Sequence, residues 1–126
     1  MAAKGRKARI LVADDDPSLR SFLKTALAYW GYAVTLCADG ASALKRAGSG
    51  GFDLLLLDFR MGPPTGFDVL KSLRNRGMQV PVVIMSSHLP EDIRVACSGL
   101  RNTSVLHKPF SVRILRKILI RHLATR

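Results

Sequence analysis

The residues best able to do chemistry stand directly behind short apolar runs. Asp14 and Asp15 follow RILVA, Asp58 follows FDLLLL, Ser86 and Ser87 follow VPVVIM, and Lys108 follows SVLH. Brought together, the carboxylates of Asp14, Asp15 and Asp58 could not all stay ionised without compensation. Either their pKa values rise or a cation sits among them. Carboxylates that leave water positions open suit Mg²⁺, a hard ion often completed by substrate phosphate. Zinc is disfavoured, since His107 is the one His or Cys at these positions. A carboxylate can also attack phosphorus and form an acyl phosphate. Mg²⁺ and Lys108 would then neutralise the phosphoryl oxygens, and the Ser86 hydroxyl could donate to one of them. The chemistry that unites the set is phosphoryl transfer to Asp58.

The elements that must position these residues are legible as an alternation. Arg9 to Ala13, Tyr32 to Cys37, Phe52 to Leu57, Val80 to Met85 and Ser104 to His107 read as strands. Between and after them, helices are expected from Pro17, with Leu19, Phe22, Leu23, Ala26, Leu27 and Trp30 as a buried stripe, then over Gly40–Ala47, Phe67–Asn75, Glu91–Ser98 and Ser111–Ala124. Asp16 before Pro17 is a helix N-cap, and Gly31 closes the first helix. Strands without in/out alternation, separated by helices, predict an α/β fold with a doubly wound, five-stranded parallel sheet covered on both faces. In such sheets the site lies at the carboxyl ends of the strands, where the residues above converge on one rim.

Composition narrows the functional classes. The chain has 126 residues, 48 % apolar, with a net charge of +11. That length suits one domain. Residues 1–8 are expected to be a basic flexible arm and 9–126 the domain proper. The longest apolar run falls far short of a membrane span, and no secretory leader is legible. Cys37 and Cys97 lack metal-ligand spacing and read as buried free thiols of a cytoplasmic protein.

Taken in order, Ile10-Leu-Val-Ala-Asp-Asp-Asp-Pro17, Asp53-Leu-Leu-Leu-Leu-Asp58 with Met61 and Gly66, Pro81-Val-Val-Ile-Met-Ser86 and Lys108-Pro109-Phe110 resemble the receiver domain of a two-component response regulator, over essentially the whole chain. The resemblance implies a flavodoxin-like (βα)5 three-layer sandwich. It implies that Asp58 accepts phosphate from a histidine kinase or phosphotransfer protein, in a self-catalysed reaction rather than as an enzyme with a separate substrate. Asp15 would bind Mg²⁺ directly, with Asp14 helping through water and the backbone carbonyl of Arg60 as a further ligand. Ser86 would follow the phosphoryl group, Lys108 would pair with phosphate or Asp58, and the Lys108–Pro109 bond would be cis. Two departures stand out. Gly62 occupies the usual proline position after Met61, and Val105 occupies the position of the aromatic that swings inward on activation.

Other readings compete. An aspartyl-phosphate hydrolase would want a second Asp two residues after the nucleophile, where Arg60 stands. A flavin mononucleotide carrier would need a phosphate-cradling loop where the chain has three acids. A receiver used only for docking is kept in play by Val105. On the last helix, Val112, Leu115, Ile118, Leu119 and Leu123 are expected to pack on the sheet. Arg113, Arg116, Lys117 and Arg121 share the other side, with Ile120 among them. That side reads as an output surface for a protein partner, an output domain or a homodimer, on the face formed by the last two helices and last strand. Direct DNA binding is disfavoured, because a helix packed on a sheet has limited reach into a groove.

Overall fold

Strand and helix alternate without interruption in the computed structural model, which describes residues 6–124. The order is β1 (Arg9–Ala13), α1 (Pro17–Tyr29), β2 (Ala33–Cys37), α2 (Gly40–Gly48), β3 (Leu54–Asp58), α3 (Gly66–Asn75), β4 (Val82–Ser86), α4 (Glu91–Ser98), β5 (Thr103–His107) and α5 (Val112–Leu123). The strands form one parallel sheet in the order β2-β1-β3-β4-β5. The expected α/β doubly wound fold is therefore present. The strand order turns back at β1, which places a crevice between the carboxyl ends of β1 and β3.

Why the central strands read as unbroken apolar runs is now explicit. Alternate residues bury against opposite helix layers. Ile10, Val12, Leu54, Leu56, Val83 and Met85 pack with Leu23 and Leu27 of α1 and Leu115 and Leu119 of α5. Leu11, Ala13, Leu55, Leu57, Val82 and Ile84 pack with Ala43 and Ala47 of α2 and Val69, Leu70 and Leu73 of α3. Each side chain points to one face, but both faces are covered, so polar residues are excluded from both.

Helix ends follow local chemistry. The Asp16 carboxylate accepts from Ser18 N, and Gly31 takes a positive φ just past α1. Thr65 and Asp68 form a reciprocal capping box at α3, a feature the sequence reading did not identify. The Lys108–Pro109 bond is cis as the resemblance implied, and Pro63–Pro64 is cis as well. Cys37 and Cys97 are buried free thiols.

Two expectations for packing need correction. Phe22 is 46 % exposed, because the sheet contact of α1 is taken by Leu23 and Leu27. Val112 is half-exposed too, since it lies one turn ahead of exposed Arg116 and shares its side of α5. Of the expected basic arm, residues 1–5 lie outside the described residues; Ala8 already accepts a bond from Ala33 N through its carbonyl. Among the described residues no helix is long and apolar enough to cross a membrane.

Candidate functional site

At the carboxyl ends of β1, β3 and β5, three side chains lock together. Asp14 is 0 % exposed, directly behind the buried Ala13. Its carboxylate accepts from Lys108 Nζ at 2.8 Å and from Asp16 N at 2.9 Å. Its carbonyl accepts from Arg20 Nη1 at 2.7 Å. Asp58 closes β3, in register with Met85 of β4, and its carboxylate accepts from the same Lys108 Nζ at 3.1 Å. Lys108 is aimed by its own backbone, whose N–H donates to the Ser86 carbonyl at 2.8 Å. The sequence reading paired Lys108 with Asp58 or phosphate; the structure adds Asp14 as its nearer partner.

Asp14, Asp15 and Asp58 each bring a carboxylate oxygen within 4.8 Å of the others. Asp14 and Asp58 are buried, and Asp15 is exposed. One ammonium is shared by two of these carboxylates, and Asp15 receives none of its bonds. Burial first, and the Asp14 charge second, push the Asp58 carboxyl above the usual carboxylate range, although Lys108 and the Arg60 N–H pull the other way. Burial works against the Lys108 ammonium, but the bonds it donates to Asp14 and Asp58 outweigh that and raise its pKa. An oxygen-only, net-negative donor set with one exposed member fits a hard divalent cation such as Mg²⁺.

The acids open onto a cavity of about 260 Å³ lined by Asp15, Asp58, Arg60, Ser86, Ser87 and Lys108. Ser86 is buried at the end of β4, and its Oγ accepts from His88 N at 3.1 Å. Every residue proposed from the sequence for this site except Asp14 lines that cavity; Asp14 lies behind Lys108, within the carboxylate cluster. Beside it, Asp16, Leu19, Phe22, Ser87, Lys108, Pro109 and Phe110 line a second concavity of about 360 Å³. The sequence reading missed this apolar patch because Phe22 fits the helical stripe and was assigned to the core.

The last helix departs from expectation in one respect. Its basic side is divided between two faces. Arg121 reaches β5, donating to Ser104 Oγ at 2.7 Å. Arg113, Arg116, Lys117 and Ile120 instead line a groove with Trp30 at the end of α1. Four of the five residues assigned to the α4–β5–α5 face therefore lie on the opposite side of α5, because about 100° per residue places them some 40–140° round from Val112 and Arg121 beyond them. The α4–β5–α5 side itself presents Val95, Val105 and Ile114, all partly exposed.

Comparison with known proteins agrees with this geometry. The chain is 38 % identical over 104 residues to the transcriptional activator protein PfeR of Pseudomonas aeruginosa, covering 82 % of this chain and 34 % of PfeR. It is 36 % identical over 107 residues to the response regulator MprA of Mycobacterium ulcerans, covering 85 % of this chain and 46 % of MprA. The chain thus spans about a quarter to a half of the length of the curated relatives it matches. The chemotaxis protein CheY4 of Vibrio cholerae superimposes with a TM-score of 0.83 at 30 % identity, over 94 % of this chain and all of that one. The receiver domain of a Pseudomonas aeruginosa sensor histidine kinase does so with a TM-score of 0.82 at 28 % identity, over 94 % and 99 % of the two chains. That structure has a magnesium ion coordinated in its active-site cleft. With residues 10–120 matching the response regulator receiver domain as a family, the chain belongs to that family and to the phosphorelay signalling it serves.

Proposed function

We propose that Asp58 is the phospho-acceptor of this receiver domain. The observation that carries the reading is the Asp58 carboxylate at the mouth of an open cavity, tethered by Lys108 beside two further acids. One Asp58 oxygen attacks phosphorus, the bond from phosphorus to the donor's leaving group breaks, and its electron pair departs with that group. Lys108 stays within reach of the new phosphoryl oxygens, and the Ser86 hydroxyl donates to one of them. Asp14, Asp15, Asp58 and the Arg60 carbonyl would hold Mg²⁺, which when bound neutralises phosphoryl charge.

A phosphohistidine on a histidine kinase or phosphotransfer protein is the donor we favour. The apolar patch of Leu19, Phe22, Pro109 and Phe110 lies beside the acceptor cavity and offers such a partner a contact that exposed acids do not. The protein turns over no separate substrate and works in the cytoplasm, where such donors occur. The output is a changed α4–β5–α5 face. Val105, 36 % exposed, leaves no aromatic to couple that face to Ser86, so the change runs through the Ser87–Pro90 loop and α4. The same observation favours a second reading, a receiver that docks without being phosphorylated.

Intact-mass measurement after incubation with acetyl phosphate and Mg²⁺ separates the two. One added phosphoryl group on the wild type and none on Asp58→Asn is expected. An unmodified wild type, or labelling that survives the substitution, overturns the assignment.

A further inference from the structure

Residues 17–38 and 93–126 contain no Asp or Glu. Both helices that cover one face of the sheet, α1 and α5, come from these stretches and carry Arg20, Lys24, Arg113, Arg116, Lys117 and Arg121. This layer is therefore uniformly basic. Where the two helices meet lies a groove of about 430 Å³, bordered by Trp30, Val112, Arg113, Arg116, Lys117 and Ile120. Ile120 is 50 % exposed, and the Arg116 guanidinium lies over the Trp30 ring at 5.4 Å. Among the described residues no ion pair engages Arg113, Arg116 or Lys117.

We propose that this groove docks an acidic amphipathic segment of a partner protein, with an apolar side chain against Trp30, Val112 and Ile120 and carboxylates on Arg113, Arg116 and Lys117. Charge complementarity selects the occupant. A second copy of a chain with a net charge of +11 would bring like charges face to face. Phosphate backbones would meet the basic rim but leave the apolar floor unfilled. A membrane surface cannot enter a concave notch, whereas a peptide side chain can. The groove lies away from the Asp58 cavity and shares no lining residue with it, so docking here does not depend on the phosphoryl chemistry proposed above.

Trp30 is the one tryptophan of the chain and reports on the groove directly. The probe is a short helical peptide with glutamates on one side and leucines on the other. It is expected to shift Trp30 emission saturably, with affinity that falls as salt rises. Replacing its leucines by serine, or Ile120→Ser in the protein, should weaken binding about tenfold. Arg116→Glu with Ile120→Asp should abolish it while acetyl-phosphate labelling of Asp58 proceeds as in the wild type. Lys117→Glu, at an exposed position on the groove's border, should weaken it without altering the Arg116–Trp30 contact. Equal binding of the serine peptide would show attraction by charge alone and overturn the proposal. So would a stronger Trp30 response to duplex DNA or to anionic phospholipid vesicles than to the peptide. Self-association in sedimentation that Ile120→Asp removes would assign the groove to a second copy and overturn it as well.

Discussion

The fold disfavours ionisation of Asp58 relative to the unfolded chain. Burial and the Asp14 charge raise its pKa above the ordinary value, so the folded chain binds its proton more tightly than the unfolded chain does. By linkage, stability falls as pH rises from the ordinary carboxylate range through the raised value, and the penalty is fully present above it. Asp58→Asn removes the charge but leaves Lys108 its 2.8 Å bond to Asp14. The variant should therefore be more stable than the wild type near neutral pH, by about 1 kcal/mol, the usual size of a single-site effect. The gain should shrink as pH falls toward about 4. Thermal unfolding across that range checks both sign and trend. At Asp15 the expected effect is on ligands rather than the fold, because the side chain is exposed. Asp15→Ala should lower Mg²⁺ affinity and acetyl-phosphate labelling together, with melting in the absence of Mg²⁺ within about 0.5 kcal/mol of wild type. Normal labelling of that variant would remove Asp15 from the metal set.

Elements set where Asp58 can sit. The loop after β3 returns so closely that a Cβ on Gly66 would lie 2.5 Å from the Asp58 carbonyl oxygen. Gly66→Ala must displace either the Asp58 backbone or the start of α3, at a cost of about 1–3 kcal/mol for overpacking. Slower labelling of Asp58 should accompany the loss of stability. That residue stood in the sequence as a match to a family motif; the structure supplies the steric reason. Among the helices, α4 is the least anchored. Its N-cap, Pro90, makes no side-chain cap bond, its last turn has no basic residue, and Cys97 is its only buried side chain. Its amides should exchange fastest of the five helices, and phosphorylation should change exchange over residues 87–105. Changes confined to the Asp58 loop would refute a switch routed through α4.

The molecule as a whole is two cores back to back on one sheet. Leu54 and Leu55 are neighbours on β3, yet each is fully buried, one against α1 and α5, the other against α2 and α3. Leu54→Ala and Leu55→Ala should each cost about 2–5 kcal/mol. In a sheet with one wet face, only one of such a pair would. Equilibrium denaturation of the two variants tests this directly. The same arrangement brings distant residues to one rim: Asp14 and Lys108 are 94 residues apart and bonded.

By itself the sequence determined the alternation of elements, the parallel sheet and the acidic rim. Those features rest on local signals: apolar runs that only a doubly covered strand tolerates, caps such as Asp16 and Gly31, and polar residues placed immediately after each run. Tertiary structure decided what depends on neighbours from other elements. A helical stripe marks Phe22 and Val112 as apolar, but which of a stripe's residues touch the sheet depends on the tilt and reach of the helix, and both face outward. A helical wheel places Arg116 and Arg121 on one basic side, but only the positions of α1 and β5 send one to Trp30 and the other to Ser104. Lys108 could be paired from sequence with any nearby acid. Its choice of buried Asp14 as well as Asp58 follows from the parallel sheet, which sets the carboxyl ends of β1, β3 and β5 on one rim, because a carboxylate withdrawn from water must find its counter-charge wherever the sheet has placed it.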